Sequence, residues 1–230
     1  MNDLRELERQ LRTLSHNTDA LQAVRDFAQT LKKTRRRQEV FNAPGALLVR
    51  PPIDFNAARE RGLIAEEEDP FVLLQGDLLR TDAAYFMGTR LTGMRFLIAN
   101  STCDLVPGRR EYVALLPVLP IELGQTDEEN TGIAALLAEL LKFTQTRRMY
   151  LPPLADDDEN VLANAVEFDR IAQARLGDVL AAERIASLSL VGWRIFGSHL
   201  RGILTRAGDS EVKLRHDWPR QQGAQPNDST

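Results

Sequence analysis

The chain has 230 residues, 43% hydrophobic and 27% charged, an ordinary globular composition with length for one large domain or two small ones. Lys and Arg total 29 against 33 Asp and Glu, a net charge of -4, which excludes a chain-wide attraction to nucleic acid but not a local basic face. One cysteine excludes a disulfide framework and a multi-thiolate zinc site, three histidines (16, 199 and 216) argue against a histidine-rich metal site, and no apolar run approaches the ~20 residues that span a bilayer.

Residues 1–40 read as an N-terminal helical region. The charged start MNDLRELERQLR does not fit a secretory leader and predicts a cytoplasmic protein. Leu4, Leu7, Leu11 and Leu14 fall on one helix face, and Leu21, Val24, Phe27, Ala28 and Leu31 on another. The intervening Ser15-His16-Asn17-Thr18-Asp19 offers N-caps, which favours a helical hairpin over one continued helix. The second helix is expected to end in Lys32-Lys33-Thr34-Arg35-Arg36-Arg37, since cations suit a helix C-terminus.

Residues 41–70 read as an irregular connector. It holds the turn Asn42-Ala43-Pro44-Gly45, a short strand over Ala46–Val49 stopped by Pro51-Pro52, and a solvated acidic loop Glu66–Asp69. Residues 71–208 read as a small barrel with an inserted helix and a C-terminal helix. Phe71–Leu74 and Leu78-Leu79 form one apolar run broken by Gln75-Gly76-Asp77. Met94–Ala99 and Glu111–Leu116 read as strands, punctuated by Gly88, Gly93, Pro107-Gly108, Pro117 and Pro120. Thr126 and Glu129 have capping-box spacing ahead of the apolar helix face Ile133, Leu136, Leu137, Leu140 and Leu141. Met149-Tyr150-Leu151 reads as a strand, Asp156–Glu159 as a second solvated acidic loop, and Val166–Ile171 as a half-buried strand. From Ala181 the pattern reads as helix, with Ile185, Leu188, Ile195, His199 and Ile203 on one face and Gly208 as the stop. Residues 209–230, polar with two prolines, are expected to form a mostly disordered tail.

Residues 74–119 carry a resemblance. Leu74-Gln75-Gly76-Asp77-Leu78-Leu79-Arg80, a loop, Gly93-Met94-Arg95-Phe96-Leu97-Ile98-Ala99, and then Tyr112-Val113-Ala114-Leu115-Leu116-Pro117 together resemble the PemK-type (MazF-like) small barrel. Gly76-Asp77 match that family's opening pair, and Arg95 its second-strand arginine. Phe96 stands where the family has proline, and Leu116-Pro117-Val118 where its assisting hydroxyl belongs. The resemblance implies RNA cleavage without metal. Arg95 would stabilise charge on the phosphate, since a guanidinium presents paired donors to phosphate oxygens. Ala99-Asn100-Ser101-Thr102-Cys103-Asp104-Leu105 also resembles a Ser/Cys-Asp-hydrophobic element of uncharacterised bacterial proteins, some linked to mobile elements or defence islands.

Each candidate has a structural alternative. Gly76-Asp77 also reads as a tight turn whose Asp bonds the turn amides. Cys103, with Arg109 and Arg110 near in sequence, reads as a thiolate nucleophile oriented by Asp104 and served by His199, or as a small hydrophobe beside a turn-capping Asp104. His199 reads first as a core histidine. Lys32, Lys33, Arg35, Arg36 and Arg37, with Arg147 and Arg148, form basic patches for nucleic-acid phosphates or solvated ends facing acidic loops. Arg194 and Arg201 share a helix side and suit a partner or a phosphate. Leu4, Leu7, Leu11 and Leu14 form a partner seam or pack on the chain itself.

The expected fold is therefore α+β, a small SH3-like or PemK-like barrel with an N-terminal helical region and a C-terminal helix. The expected function is an accessory or interaction subunit of a bacterial multi-protein system, in phage defence or a toxin-like module. Its partner would be a protein, nucleic acid would engage only through the local basic patches, and no membrane, metal or cofactor is expected. The alternatives are a PemK-type metal-independent ribonuclease using Arg95 and a thiol enzyme using Cys103 and Asp104.

Overall fold

The computed structural model describes residues 4–65 and 71–204 together with Lys213. The acidic run 66–69, the stop expected at Gly208, His216 and the tail 209–230 other than Lys213 lie outside the described residues. Within them the chain is α+β, with seven α-helices and a ten-stranded antiparallel sheet.

The N-terminal hairpin forms as its sequence dictates. Helix α1 (Leu4–Thr13) and helix α2 (Thr18–Thr30) are separated at Asn17, whose Oδ1 accepts the Ala20 amide at 3.1 Å and caps α2. The basic run does not end α2, as the sequence predicted. Lys32 takes a left-handed φ of 53°, and a new helix, α3 (Thr34–Phe41), begins within the run. Arg35–Arg37 thus occupy a first turn, where the helix dipole disfavours cations; ion pairs to Glu39 further along the helix offset this. The connector is also less irregular than expected. Strand β1 (Leu48–Val49) is followed by α4 (Phe55–Glu60), capped by Asp54 Oδ1, which accepts the Ala57 amide at 3.0 Å.

The remaining strands are β2 (Asp77–Arg80), β3 (Ala84–Phe86), β4 (Thr89–Leu91), β5 (Arg95–Ile98), β6 (Tyr112–Glu122), β7 (Arg148–Leu151), β8 (Val161–Glu167), β9 (Ala172–Arg175) and β10 (Glu183–Leu188). A 3-10 turn spans Thr102–Leu105; helices α5 (Asp127–Leu140), α6 (Leu176–Leu180) and α7 (Leu190–Leu204) complete the chain. The path runs β1-β10-β2-β5-β6-β9-β3-β4, with β8 and β7 branching from β6. It ends at β1 on one side and β4 on the other, so the strands form an open sheet rather than the closed barrel expected.

Several boundaries differ from the sequence reading. Phe71–Leu74 precedes the first long strand rather than starting it. Strand β6 runs straight through Pro117 and Pro120, which were expected as stops. Both sit where β6 lacks a neighbour on one side: β8 and β9 leave Leu116 and Pro117 unpaired, and β5 reaches only to Val118. A proline's missing N–H breaks no ladder bond at such places. Strand β8 ends at Glu167 and is buried on both faces, not alternating as read for 166–171. Glu183–Leu188, read as helix, is the strand β10, and α7 starts only after Ser189, whose Oγ accepts the Gly192 amide at 3.1 Å.

The sheet separates two apolar cores by strand alternation. Leu78, Leu97 and Leu116 face the core shared with α1, α2, α5 and α7, whereas Leu79, Phe96, Ile98 and Leu115 face a second core closed by Leu105, Leu176 and Val179. The capping box foreseen at α5 is present: Thr126 Oγ1 accepts the Glu129 amide at 3.2 Å and Glu129 Oε2 accepts the Thr126 amide at 3.1 Å. Among the described residues no helix is long and apolar enough to cross a membrane.

Candidate functional site

Arg95 projects from β5 and is 13% exposed. Its guanidinium donates to the Asp157 carboxylate and to Asn164 Oδ1 at 3.2 Å, and lies 3.7 Å from Asp156. Asp157 Oδ2 also accepts the Leu154 amide at 2.6 Å and Asn164 Nδ2 at 2.7 Å. Burial pushes the Asp157 carboxyl up, but the Leu154 amide, Arg95 and Asn164 outweigh it and hold the group below the usual carboxylate range. Asp156 in turn pairs with Arg80, which reaches Glu183 at 3.0 Å. The acidic loop 156–159 is thus not simply solvated: Asp156 and Asp157 pair with arginines of β2 and β5, and the Asp157 side chain is 3% exposed. Arg95 is a tie between the sheet and this loop.

Gly76-Asp77 tie the sheet at its other side. Asp77 is fully buried; Oδ1 accepts from Ser187 Oγ at 2.5 Å, and Oδ2 from the Leu74 amide and from Arg184, each at 2.8 Å. Burial moves its pKa up against those bonds. Gly76 has φ 82°, and a Cβ there would lie 2.6 Å from Leu188 Cδ1, so the position requires glycine.

Cys103 is exposed on the 3-10 turn, its Sγ 3.2 Å from Ser101 Oγ. Its carbonyl accepts Arg109 Nη1 at 2.8 Å, and Asp104 Oδ1 accepts Arg110 Nε at 3.3 Å. Thr102 Oγ1 accepts the Gln75 amide at 3.0 Å, and Gln75 Oε1 accepts Trp193 Nε1 at 3.1 Å, joining this turn to α7. His199 is buried on α7 with its ring 5.5 Å from Phe168; among the described residues no hydrogen bond joins it to Cys103.

Four of the candidate basic residues lie beside acids of their own chain. Arg35 and Arg36 both pair with Glu39, Arg147 with Asp169 at 2.9 Å, and Arg148 with Glu167 at 2.5 Å. Arg37 is buried and donates Nε to the Ala28 carbonyl at 2.8 Å; Lys32 and Lys33 are exposed. Leu7 and Leu11 are buried in the chain's own core, with Leu4 and Leu14 packed against it. Arg194 donates Nε to the Leu11 carbonyl at 3.1 Å and Arg201 donates Nη1 to the His16 carbonyl at 3.2 Å, so this arginine pair clasps the hairpin turn. His16, read as part of a polar break, stands edge-on to Trp193 at 4.1 Å in the space Gly197 leaves.

A face not singled out from the sequence lies at the β4 end of the sheet. Tyr85 is opposite both Arg90 and Gln173, and Tyr112 is opposite Arg175. Tyr85, Tyr112, Gln173, Arg175 and Asp178 line a trough of about 530 Å³. The tyrosines are 49% and 48% exposed, and Met87, at the tip of the β3–β4 hairpin, is 90% exposed. The local signal was the alternation in Ala172-Gln173-Ala174-Arg175, with both alanines buried and the polar residues out. The signal missing from the sequence was the register that brings two distant tyrosines to one face. Among the described residues no three or more His, Cys, Asp or Glu side chains converge as a metal site. No family model, curated protein or solved structure matches the chain.

Proposed function

We propose that the chain is an accessory or interaction subunit of a multi-protein system, and that it holds a protein partner on the face built by β3, β4, β9 and the start of β6. The observation that carries this reading is the half-exposed pair Tyr85 and Tyr112 flanking one trough. Tyrosine, methionine and arginine are the residue types enriched at protein interfaces, because each combines large apolar contact with a directional polar end or an adaptable body. Met87 strengthens the reading. It holds φ 47° in the two-residue turn Met87-Gly88, a left-handed conformation that disfavours a side chain, while exposing that side chain almost completely. The primed two-residue turn matches the twist of β3 and β4, and it leaves the Met87 side chain outward for a partner to contact. The trough carries both Arg175 and Asp178, a mixed charge that suits a protein and repels part of a phosphate backbone.

In this reading Arg95 serves the fold. The test is purification of the native assembly from its host, with intact-mass determination, for wild type and for the Tyr85→Ala/Tyr112→Ala double variant. A stoichiometric protein retained by wild type and lost by the double variant, with thermal unfolding unchanged, supports the reading. Interface tyrosines of this kind are worth about 2 kcal/mol each, a loss of more than tenfold in affinity per residue. A wild-type chain that purifies alone, or a double variant that keeps the partner, refutes it.

A further inference from the structure

Strand parity places the tyrosine face within the rest of the fold. Residues directly opposite each other on neighbouring strands share a side of the sheet, as do residues two apart on one strand. Leu116 and Ala114 of β6 face the core shared with α1, α2, α5 and α7, and Tyr112 continues their row. Gln173 is opposite Ala114 and Arg175 opposite Tyr112; Tyr85 is opposite Gln173, and Arg90 opposite Tyr85. All of these residues therefore lie on the side of the sheet that carries the helices. On that side α5 packs on β7 and α7 on β10, whereas Tyr85, Arg90, Tyr112, Gln173 and Arg175 are exposed. The helical layer stops short of β9, β3 and β4. The other side of the same strands is filled, with Ala84, Ala172 and Ala174 buried in the second core.

The width of the bare area is set by the register. Tyr85 and Tyr112 stand two strands and two residues apart, with Gln173 and Ala114 as the floor between them. With strands about 4.8 Å apart and residues about 3.3 Å apart, the gap is about 12 Å, the width of an α-helix with its side chains. An added strand is offered less. The edge strand β4 is three residues long, and alternate residues of a strand turn their N–H and C=O the same way, so only one or two of them face outward.

The charges of this face also lack internal partners. Four strand arginines elsewhere in the sheet each meet a carboxylate: Arg80 meets Asp156, Arg95 Asp157, Arg148 Glu167 and Arg184 Asp77. Arg90 of β4 and Arg175 of β9 form no ion pair among the described residues. Arg90 donates Nε to the Asp82 carbonyl at 2.6 Å, which leaves its charge in place, while Asp82 Oδ1 accepts the Gly93 amide at 2.7 Å. Asp178, which lines the trough, forms no ion pair among the described residues either. The face thus turns two guanidinium groups and one carboxylate toward a partner.

We propose that the protein partner lays an amphipathic α-helix across this face, its apolar stripe between Tyr85 and Tyr112 and its carboxylates on Arg90 and Arg175. The partner's helix then completes the helical layer of the sheet. The inference rests on the tyrosine face proposed above and adds the kind of element that occupies it.

The experiment uses the full-length chain and the protein that copurifies with it. The Arg90→Lys/Arg175→Lys variant carries an amine at both positions, which a zero-length carbodiimide joins to any carboxylate in contact; mass spectrometry of the digested complex then locates the joined residues. The expected result is that both positions join to Asp or Glu of one partner segment, with apolar residues recurring at helical spacing. Arg90→Gln/Arg175→Gln should weaken binding of the isolated partner about tenfold at low salt, and the remaining affinity should depend less on salt. Three results overturn the helix while the face itself stands, provided Tyr85→Ala/Tyr112→Ala still releases the partner. These are no joined partner carboxylate, a joined segment whose apolar residues alternate as in a strand, and a glutamine variant that binds as wild type does. A partner kept by the tyrosine variant, or RNA copurifying in place of a protein, removes the face and the helix with it.

Discussion

Acid should unfold this protein through His199, and the size of the effect follows from its burial. The imidazole is 3% exposed on α7, beside Phe168 and within the field of Arg25. Burial first and the Arg25 charge second bring its pKa from 6.5 to about 4 in the folded chain. Above pH 6.5 both the folded and unfolded chains carry neutral imidazole, and stability is full. Between 6.5 and about 4 the unfolded chain takes up a proton that the folded chain refuses, so stability falls as the pH falls. At 1.36 kcal/mol per tenfold the whole difference is roughly 3 kcal/mol, of which about 2 kcal/mol is lost between pH 7 and pH 5. Other groups move too. His16, with its pKa lowered by burial and by Arg194, acts in the same direction; Asp157 does so only at lower pH, while Asp77, raised by burial, opposes it. The comparison that isolates His199 is wild type against His199→Gln, which keeps a polar group of similar size and does not titrate. Urea unfolding followed by tryptophan fluorescence at pH 7 and pH 5 gives the two differences. Wild type should lose about 2 kcal/mol more than His199→Gln across that interval. Equal losses would refute the reasoning, whatever the variant's stability at pH 7.

Two further predictions concern how the sheet and its helices are held. Arg95→Ala leaves the Asp157 carboxylate buried without its cation, so unfolding free energy in urea should drop by about 3 kcal/mol; a drop below about 1 kcal/mol would show that the loop 152–158 does not need this tie. RNA cleavage by wild type that Arg95→Ala abolishes would favour the PemK-type reading, and no cleavage by wild type would refute it. The glycines of α7 and α5 should respond oppositely. At Gly192 a Cβ would lie 2.3 Å from the Leu47 carbonyl oxygen, backbone that cannot step aside, and Gly192→Ala should cost more than about 2 kcal/mol. Gly132, in α5 with nothing within 4 Å, should stabilise by up to about 1 kcal/mol when changed to alanine, read as a higher melting temperature.

What was legible in the sequence was local. The cap at Asn17, the capping box at Thr126 and Glu129, and the strands around Arg95–Ile98 and Arg148–Leu151 all follow from neighbours a few residues apart. What was not legible depended on partners far along the chain. Glu183–Leu188 has no stop signal before α7 and reads on into it; only pairing with β2, about a hundred residues earlier, makes it a strand. The prolines of β6 look like stops until β5, β8 and β9 are seen to leave gaps beside them. The acids of the loop 156–159 look solvated until Arg80 and Arg95 arrive from other strands.

The same distinction bears on the residues that carry the small-barrel resemblance. Gly76 closes against Leu188, Asp77 receives Ser187 and Arg184, and Arg95 holds Asp157 and Asn164. Every one of these contacts joins a strand of the resembling segment to chain beyond it. A Gly-Asp pair and a strand arginine are thus what an antiparallel meander needs wherever it must receive a returning strand and an acidic loop, because a tight turn requires left-handed backbone and a buried carboxylate requires a cation. The side chains of Tyr85, Met87 and Tyr112, by contrast, point outward from the sheet and serve no such internal tie, which is why the proposed partner face is placed there.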